Sequence, residues 1–126
     1  TLGVRDGRIV PYPDGARMSP LGYAVHADGL RLVLDRLHAE LPTTPLLISE
    51  YGLGTHDDAE RAAYLRDGLA IARDAIARGV DLRGFFHWTG VDNYEWLHGY
   101  ELPFGLLDRE RRVRASAAVL RDAMRA

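Results

Sequence analysis

One carboxylate stands out by its position. In LLISEYGLG, residues 46–54, the apolar run Leu46, Leu47 and Ile48 leads through Ser49 to Glu50, and Tyr51 and a Gly52-x-Gly54 turn follow. A carboxylate at the end of a buried strand, set against apolar walls, can be held ionised and aimed at a substrate carbon. Among retaining glycosyl-transfer sites such a group attacks an anomeric carbon, while a second carboxyl about 5 Å away protonates the leaving oxygen. An isolated glutamate after an apolar run can equally be a polar strand cap in a salt bridge, so Glu50 needs company before it means chemistry.

A second cluster supplies that company. HWTGVDNYEWLHGYELPFG, 87–105, holds Trp88, Tyr94, Trp96, Tyr100 and Phe104, with Asp92, Asn93 and Glu95 between them. Both tryptophans of the chain lie in it. Sugars present apolar C–H faces and a rim of hydroxyls, so a sugar site wants aromatic platforms beside carboxylates and amides. The competing reading is a loop whose aromatics fill the base of a core.

Other groups point to less. His56-Asp57-Asp58 places neighbouring side chains in different directions and reads as a loop leading to a helix cap, not a metal site. His87 falls on the opposite strand side from Trp88 and reads as a packed histidine. Gly52-x-Gly54 precedes a helix but lacks the third glycine of a phosphate-binding fingerprint. Glu40, Asp57, Asp58 and Glu60 fall on helix ends and read as solvated.

Composition bounds the partners. The chain has 126 residues, 47% hydrophobic and 27% charged, with 16 basic and 18 acidic residues and a net charge of −2. That is enough apolar material for one globular domain. No strongly basic field points to nucleic acid or an anionic membrane, and ERRVR (110–114) reads as a solvated helix start. There are no cysteines, which excludes thiolate catalysis, disulfides and Cys-type zinc sites. No apolar stretch approaches membrane-spanning length. The N-terminus has no signal-peptide centre, giving a cytoplasmic expectation, and its first residue is not Met, a hint that upstream sequence is missing.

The elements that must position these residues alternate. VRDGRIV (4–10) predicts a hairpin around Asp6-Gly7. Leu30, Val33, Leu34, Leu37 and Leu41 predict a helix over 28–41, with Asp28 as N-cap. Residues 45–50 read as a doubly buried strand. A helix follows over 58–78, with Leu65, Leu69, Ala72 and Ile76 on one face and Tyr64, Gly68, Ile71 and Ala75 on the stripe beside it. Asp74 and Arg78 form an i,i+4 pair on it, and Gly79 ends it. LRGFFHW (82–88) reads as a second strand, 89–110 as a long loop, and 112–125 as a last helix with Val113, Ala117, Leu120 and Met124 on one side. Strands alternating with helices predict a parallel sheet. Two parallel strands leave two unpaired edges, and a whole (β/α)₈ barrel takes roughly 250 residues. The expected fold class is α/β: the C-terminal portion of a (β/α)₈ TIM barrel, incomplete in this chain.

The runs LLISEYG, GVDLRGFFHWTGVDNYEW and GYELPFGLLD, with MSPLGYAVHADGL (18–30) ahead of them, resemble the C-terminal part of family 1 glycoside hydrolases of the β-glucosidase type. The family's usual runs are Thr-Glu-Asn-Gly, Trp-Ser-Leu-x-Asp-Asn-Phe-Glu-Trp, Gly-Tyr followed by Arg-Phe-Gly, and Met-Gly-Trp-x-x-x-Pro-x-Gly-Leu. Four separated motifs occur in order, from about Met18 to the C-terminus. The resemblance implies that residues 1–126 form a partial glycoside hydrolase barrel domain, its last two strands and last three helices. It implies Glu50 as nucleophile, Glu95 as binder of sugar hydroxyls, Trp88 and Trp96 as aromatic walls, and Phe104 as a further pocket residue. It implies a retaining hydrolase of β-D-glycosides with no metal or organic cofactor. The family's acid/base glutamate lies in an earlier Asn-Glu-Pro run, and none occurs here, so the chain alone is expected to be inactive. A non-catalytic sugar-binding or interaction module, or a piece that complements a chain carrying the earlier strands, stays open. Tyr51 in place of Asn, and Gly90 in place of Leu, are expected to alter the walls of the site. Pro103, where Arg is common, is expected to weaken local packing.

Overall fold

The structure, a computed structural model, describes residues 3–125. In chain order it comprises β1 (Gly3–Arg5), β2 (Arg8–Val10), α1 (Asp28–Glu40), β3 (Leu46–Tyr51), α2 (Asp58–Ala77), β4 (Leu82–His87) and α3 (Ala117–Ala123). β1 and β2 form the expected antiparallel hairpin, with Asp6 at φ 50° and Gly7 at φ 73° in its two-residue turn. Both central residues at positive φ match the twist of the flanking strands.

β3 and β4 pair in parallel, as alternating βα units require. Helices cover one face of this pair. Leu34 of α1, Ile48 and Tyr51 of β3, and Ile71, Ala72 and Ala75 of α2 form the core, with Val80, Leu82 and Phe85 against it. The other face is bare: Leu47 is 60% exposed and Phe86 58%. A parallel sheet is ordinarily covered on both faces, so this sheet presents half of a core.

The α2 boundaries follow from its sequence. Asp57 caps the N-terminus, its carboxylate accepting from the amides of Ala59 (2.9 Å) and Glu60 (3.3 Å). At the other end the Gly79 amide donates to Ile76 (3.0 Å) and the Val80 amide to Ala75 (3.0 Å), with Gly79 at φ 95°. This is a Schellman closure, and it needs a residue at ease in the left-handed region. The Asp74–Arg78 pair forms at 3.0 Å, and Arg78 and Arg31 extend it to α1 through Asp35 (2.7 Å) and Asp74 (2.6 Å).

Several expectations change. Asp28 is the first residue of α1, not its cap. The capping position is Ala27, and the Asp28 carboxylate instead approaches Arg31 at 3.6 Å. Val33 on α1, Leu41 just after it, and Ile76 on α2 are about half exposed, so they lie off the buried stripe of the helices. The last helix begins at Ala117 rather than 112. Residues 108–112 form a tight turn instead: Asp108 accepts from the Arg112 guanidinium (2.6 Å), and the Asp108 amide donates to the Arg112 carbonyl (3.0 Å). Arg114 is drawn inward to Asp92, so ERRVR is only partly solvated. Val113 and Met124 are 70% and 74% exposed, so the predicted apolar side of this helix is not a buried face. Asp58 and Glu60, expected as solvated, are both engaged. Asp58 accepts from the Ser116 amide and hydroxyl, and Glu60 pairs with Arg17 and Thr55.

Candidate active site

β3 and β4 end side by side, and a bulge at the end of β3 decides where Glu50 points. Ile48 lies opposite Phe85 and Tyr51 opposite His87, so three residues of β3 span two of β4. An extra residue breaks the strict alternation of a strand and re-aims the side chains around it. Ser49 and Glu50 therefore both emerge on the open side, while Ile48 and Tyr51 both turn to the helices.

Immediately beyond, the Trp88 amide donates to the Tyr51 carbonyl at 3.1 Å, and the Trp88–Thr89 peptide is cis. A Cβ on Gly52 would sit 1.7 Å from the Trp88 carbonyl oxygen. Glycine at 52 is thus what lets the Glu50 loop and Trp88 approach each other. The long loop then doubles back: Leu106 donates to Thr89 (3.1 Å) and Leu107 to Gly90 (2.9 Å), which carries Phe104 beneath the strand ends.

Asp92 and Arg114 fix the shape of that loop. Arg114 makes a bidentate pair with the Asp92 carboxylate (2.8 and 2.7 Å) and donates to the Gly105 carbonyl (2.7 Å), while the Gly105 amide donates to Asp92 (2.8 Å). Burial alone would raise the Asp92 carboxyl. Arg114 and the Gly105 amide outweigh it and hold Asp92 below the usual carboxylate range. Glu95 is oriented by Asn93, whose amide donates to one carboxylate oxygen at 2.6 Å.

The outcome is a cleft of about 390 Å³ lined by Glu50, Gly52, Trp88, Glu95 and Phe104, together with Leu21 and Tyr23. Four of the five residues singled out from the sequence thus share one cleft. Trp96 does not join them: it is 93% exposed at the tip of a turn closed by reciprocal Glu95–Gly99 backbone bonds. Tyr94 and Tyr100 form an edge-to-face pair at 5.2 Å, with Arg109 stacked 4.0 Å from the Tyr100 ring, and brace the outer loop.

Two expected wall residues lie elsewhere. Tyr51 is 7% exposed and packs into the helix-side core, because the bulge returns it there. Gly90 is exposed and does not line the cleft. Pro103 does not loosen its surroundings: its carbonyl accepts from Arg61 (2.8 Å) and from the Thr55 amide (3.1 Å). His87 is packed as expected, half-buried with its Nε2 3.4 Å from the Phe104 carbonyl oxygen, and burial first of all pushes its imidazole down. His56-Asp57-Asp58 leads into the α2 cap, and no group of three or more metal-ligating side chains converges among the described residues. No helix among them is long and apolar enough to cross a membrane.

Leu21 and Tyr23 were not foreseen as site residues. They lie in the segment around the Met18–Ala24 bridge, within MSPLGYAVHADGL. Burial and the nearby Tyr64 and Glu95 push the Tyr23 phenol up, so it faces the cleft as a neutral hydroxyl.

Residues 13–125 match the sequence model of glycosyl hydrolase family 1. The chain belongs to that family. A family 1 relative, thermostable beta-glucosidase B of Thermobispora bispora, is 39% identical over 110 residues, which is 78% of this chain and 23% of that protein. Beta-glucosidase 2 of Oryza sativa subsp. japonica is 35% identical over 124 residues, 90% of this chain and 25% of that protein. In three dimensions the chain is similar to the beta-glycosidase from Pyrococcus horikoshii, with a TM-score of 0.82 at 32% identity, covering 92% of this chain and 28% of that one. The chain thus spans about a quarter of the length of the curated relatives it matches. Its architecture is that of part of a family 1 TIM barrel, with β3 and β4 as two of the barrel's parallel strands.

Proposed function

We propose that this chain carries the nucleophile side of a retaining β-glycosidase site, built on the last two strands and last three helices of the barrel. Glu50 attacks the anomeric carbon of a β-D-glycoside as the bond to the aglycone oxygen breaks. The resulting glycosyl ester is then opened by water, releasing the sugar and restoring the carboxylate. Glu95, its direction set by Asn93, accepts hydrogen bonds from the sugar's hydroxyls. Trp88 and Phe104 form apolar walls against its C–H faces. Trp96 closes over the sugar only if its turn folds inward from its exposed position. No cofactor takes part in this chemistry.

The observation that carries the reading is the convergence of Glu50, Glu95, Trp88 and Phe104 on one cleft at the strand ends of a family 1 chain. In parallel barrels that end of the sheet holds the chemistry. The step that protonates the leaving oxygen needs a carboxylic acid. The sequence contains no Asn-Glu-Pro run, and Glu95 is committed to Asn93. We therefore place the acid on earlier barrel strands outside residues 1–126, and the bare face around Leu47 and Phe86 favours that reading over an independent sugar-binding module. Co-expression with a chain carrying the first five or six strands of a family 1 barrel, acid/base glutamate included, tests it. Hydrolysis of an aryl β-glucoside by the pair, absent from either part alone and abolished by Glu50→Gln, is the expected result. Turnover by the purified chain alone, or full activity of the Glu50→Gln pair, sinks the assignment.

A further inference from the structure

Near the cleft but outside its lining, at the start of α2, sits Arg61. Arg61 is 1% exposed, and a charge buried so completely needs a partner; its two terminal nitrogens are bonded, while its Nε has none. Its Nη1 pairs with Asp58 at 2.5 Å. Its Nη2 donates to the Thr55 carbonyl and, at 2.8 Å, to the Pro103 carbonyl. Pro103 immediately precedes Phe104, and Thr55 lies in the loop that follows β3. The same two segments meet a second time where the Thr55 amide donates to the Pro103 carbonyl at 3.1 Å. Phe104 is then pressed onto Gly54, where a Cβ would come 2.6 Å from the ring.

The other side is held through Thr55 and Glu60. The Thr55 hydroxyl donates to one oxygen of Glu60 (2.8 Å), whose other oxygen takes Arg17 (2.5 Å). Arg17 opens the segment that carries Leu21 and Tyr23: the Val25 amide donates to its carbonyl at 2.8 Å, and the Ser19 amide donates to Tyr23 at 2.8 Å. Thr55, itself 4% exposed, is the hub joining both arms.

We propose that the first turn of α2 is a clamp that sets the separation of the two cleft walls, with Arg61 as positioning residue for Phe104 and Glu60 for the Tyr23 segment. Its relevance to sugar binding rests on the function proposed above, but the clamp is a statement about geometry and is tested without a sugar.

The chain contains three phenylalanines, Phe85, Phe86 and Phe104. Labelled throughout with 4-fluorophenylalanine, it gives three ¹⁹F signals, of which Phe85 in the core and Phe86 on the open face serve as internal references. Arg61→Met removes the donors but keeps an apolar stem. The expected result is that the Phe104 signal moves toward that of exposed Phe86 and gains an H₂O/D₂O solvent shift, while Phe85 stays in place. Glu60→Ala is expected to leave Phe104 in place and, in a 3-fluorotyrosine sample assigned through Tyr23→Phe, to move Tyr23 alone. A residue serving general stability lowers the unfolding midpoint with all signals unmoved, and that outcome in folded Arg61→Met overturns the proposal. Should Arg61→Met not fold, the wild-type guanidinium decides: slowly exchanging Nη protons at Arg61 support the clamp, and free rotation with rapid exchange overturns it.

Discussion

Tyr51 occupies the place beside Glu50 where the family commonly has asparagine, and its effect should fall on stability rather than on sugar preference. The ring is stacked on Tyr64 at 4.6 Å with planes 6° apart, lies 5.5 Å from Phe85, and its hydroxyl donates to the Tyr64 carbonyl at 3.1 Å. Removing a buried aromatic of this kind costs about 3–5 kcal/mol, and the stack and hydrogen bond fall within that figure. In Tyr51→Asn the shorter amide also stays among apolar groups, so a value near 4 kcal/mol is expected. Small domains hold about 5–15 kcal/mol in all. With a urea slope of about 1–3 kcal/mol per molar, the midpoint should fall by about 2 M. Gly68 provides the sharper test, because a Cβ there would lie 2.3 Å from the Tyr51 ring. In the wild type, Gly68→Ala gains about 1 kcal/mol of helix propensity but incurs about 1–3 kcal/mol of overpacking, for a net change between neutral and destabilising. In the Tyr51→Asn background the clash is gone, and the same change should stabilise by about 1 kcal/mol. Urea unfolding of the four proteins, followed by far-ultraviolet circular dichroism, gives the coupling energy directly, expected at about 1–3 kcal/mol. If Gly68→Ala acts with the same sign and size in both backgrounds, Tyr51 is not packed on α2 and its assignment to the core is wrong.

Gly52→Ala forces backbone against backbone at Trp88, so it should destabilise by at least about 1–3 kcal/mol and displace Trp88. In a Trp96→Phe background Trp88 is the only tryptophan, and acrylamide quenching of its emission should rise. Asp92→Asn should cost about 2–3 kcal/mol at pH 7, short of a fully buried pair because Arg114 keeps some access to water. Asp92 titrates lower in the folded than in the unfolded chain, so its contribution is complete above the unfolded value of about 3.9 and is lost as pH falls through the folded one. Urea midpoints between pH 5 and pH 2 should therefore decline less steeply in Asp92→Asn than in the wild type, and parallel profiles would dismiss the Asp92–Arg114 pair as a determinant.

What the sequence made legible was whatever depends on short-range pattern. Asp6-Gly7 marked its hairpin, Gly79 its helix end, and the runs LLI (46–48) and LRGFFHW (82–88) their strands, since each is decided by a few adjacent side chains. The cleft was legible in part: Glu50, Trp88, Glu95 and Phe104, picked out by their chemistry and by motif resemblance, line it together. It was not legible where a bulge intervened. Period-two alternation from Ile48 would place Glu50 on the helix side and Tyr51 on the open side, and one extra residue in β3 reverses both. Nor does a helical arginine at 61 look unlike any other arginine in a chain with 16 basic residues. Its burial depends on carbonyls at 55 and 103, the latter 42 positions away. Tyr23 was hidden for the same reason: the bonds that bring it to the cleft are made by residues far along the chain.

The two faces of the β3–β4 sheet differ in what covers them. Leu34, Ile48, Tyr51, Ile71 and Ala75 complete a core on the helix side, and the bonds that shape the cleft, from Arg61, Arg114 and Asn93, all close within the chain. On the other side Leu47, Phe86 and Trp88 expose apolar surface beside the two sheet edges. That surface would gain about 25 cal/mol for each Å² covered, whatever covers it. A cover that brought its own strands would also satisfy the edges, which a sugar or a loosely bound helix would not. It would at the same time stand over the cleft, because Glu50 emerges on the open side of the β3 end and shares that cleft with Glu95. Under the function proposed above, the same docking that relieves the exposed face would supply the wall from which a proton donor reaches the leaving oxygen. Assembly and catalytic competence are accordingly expected to appear together, with Glu50→Gln removing the second while leaving the first intact.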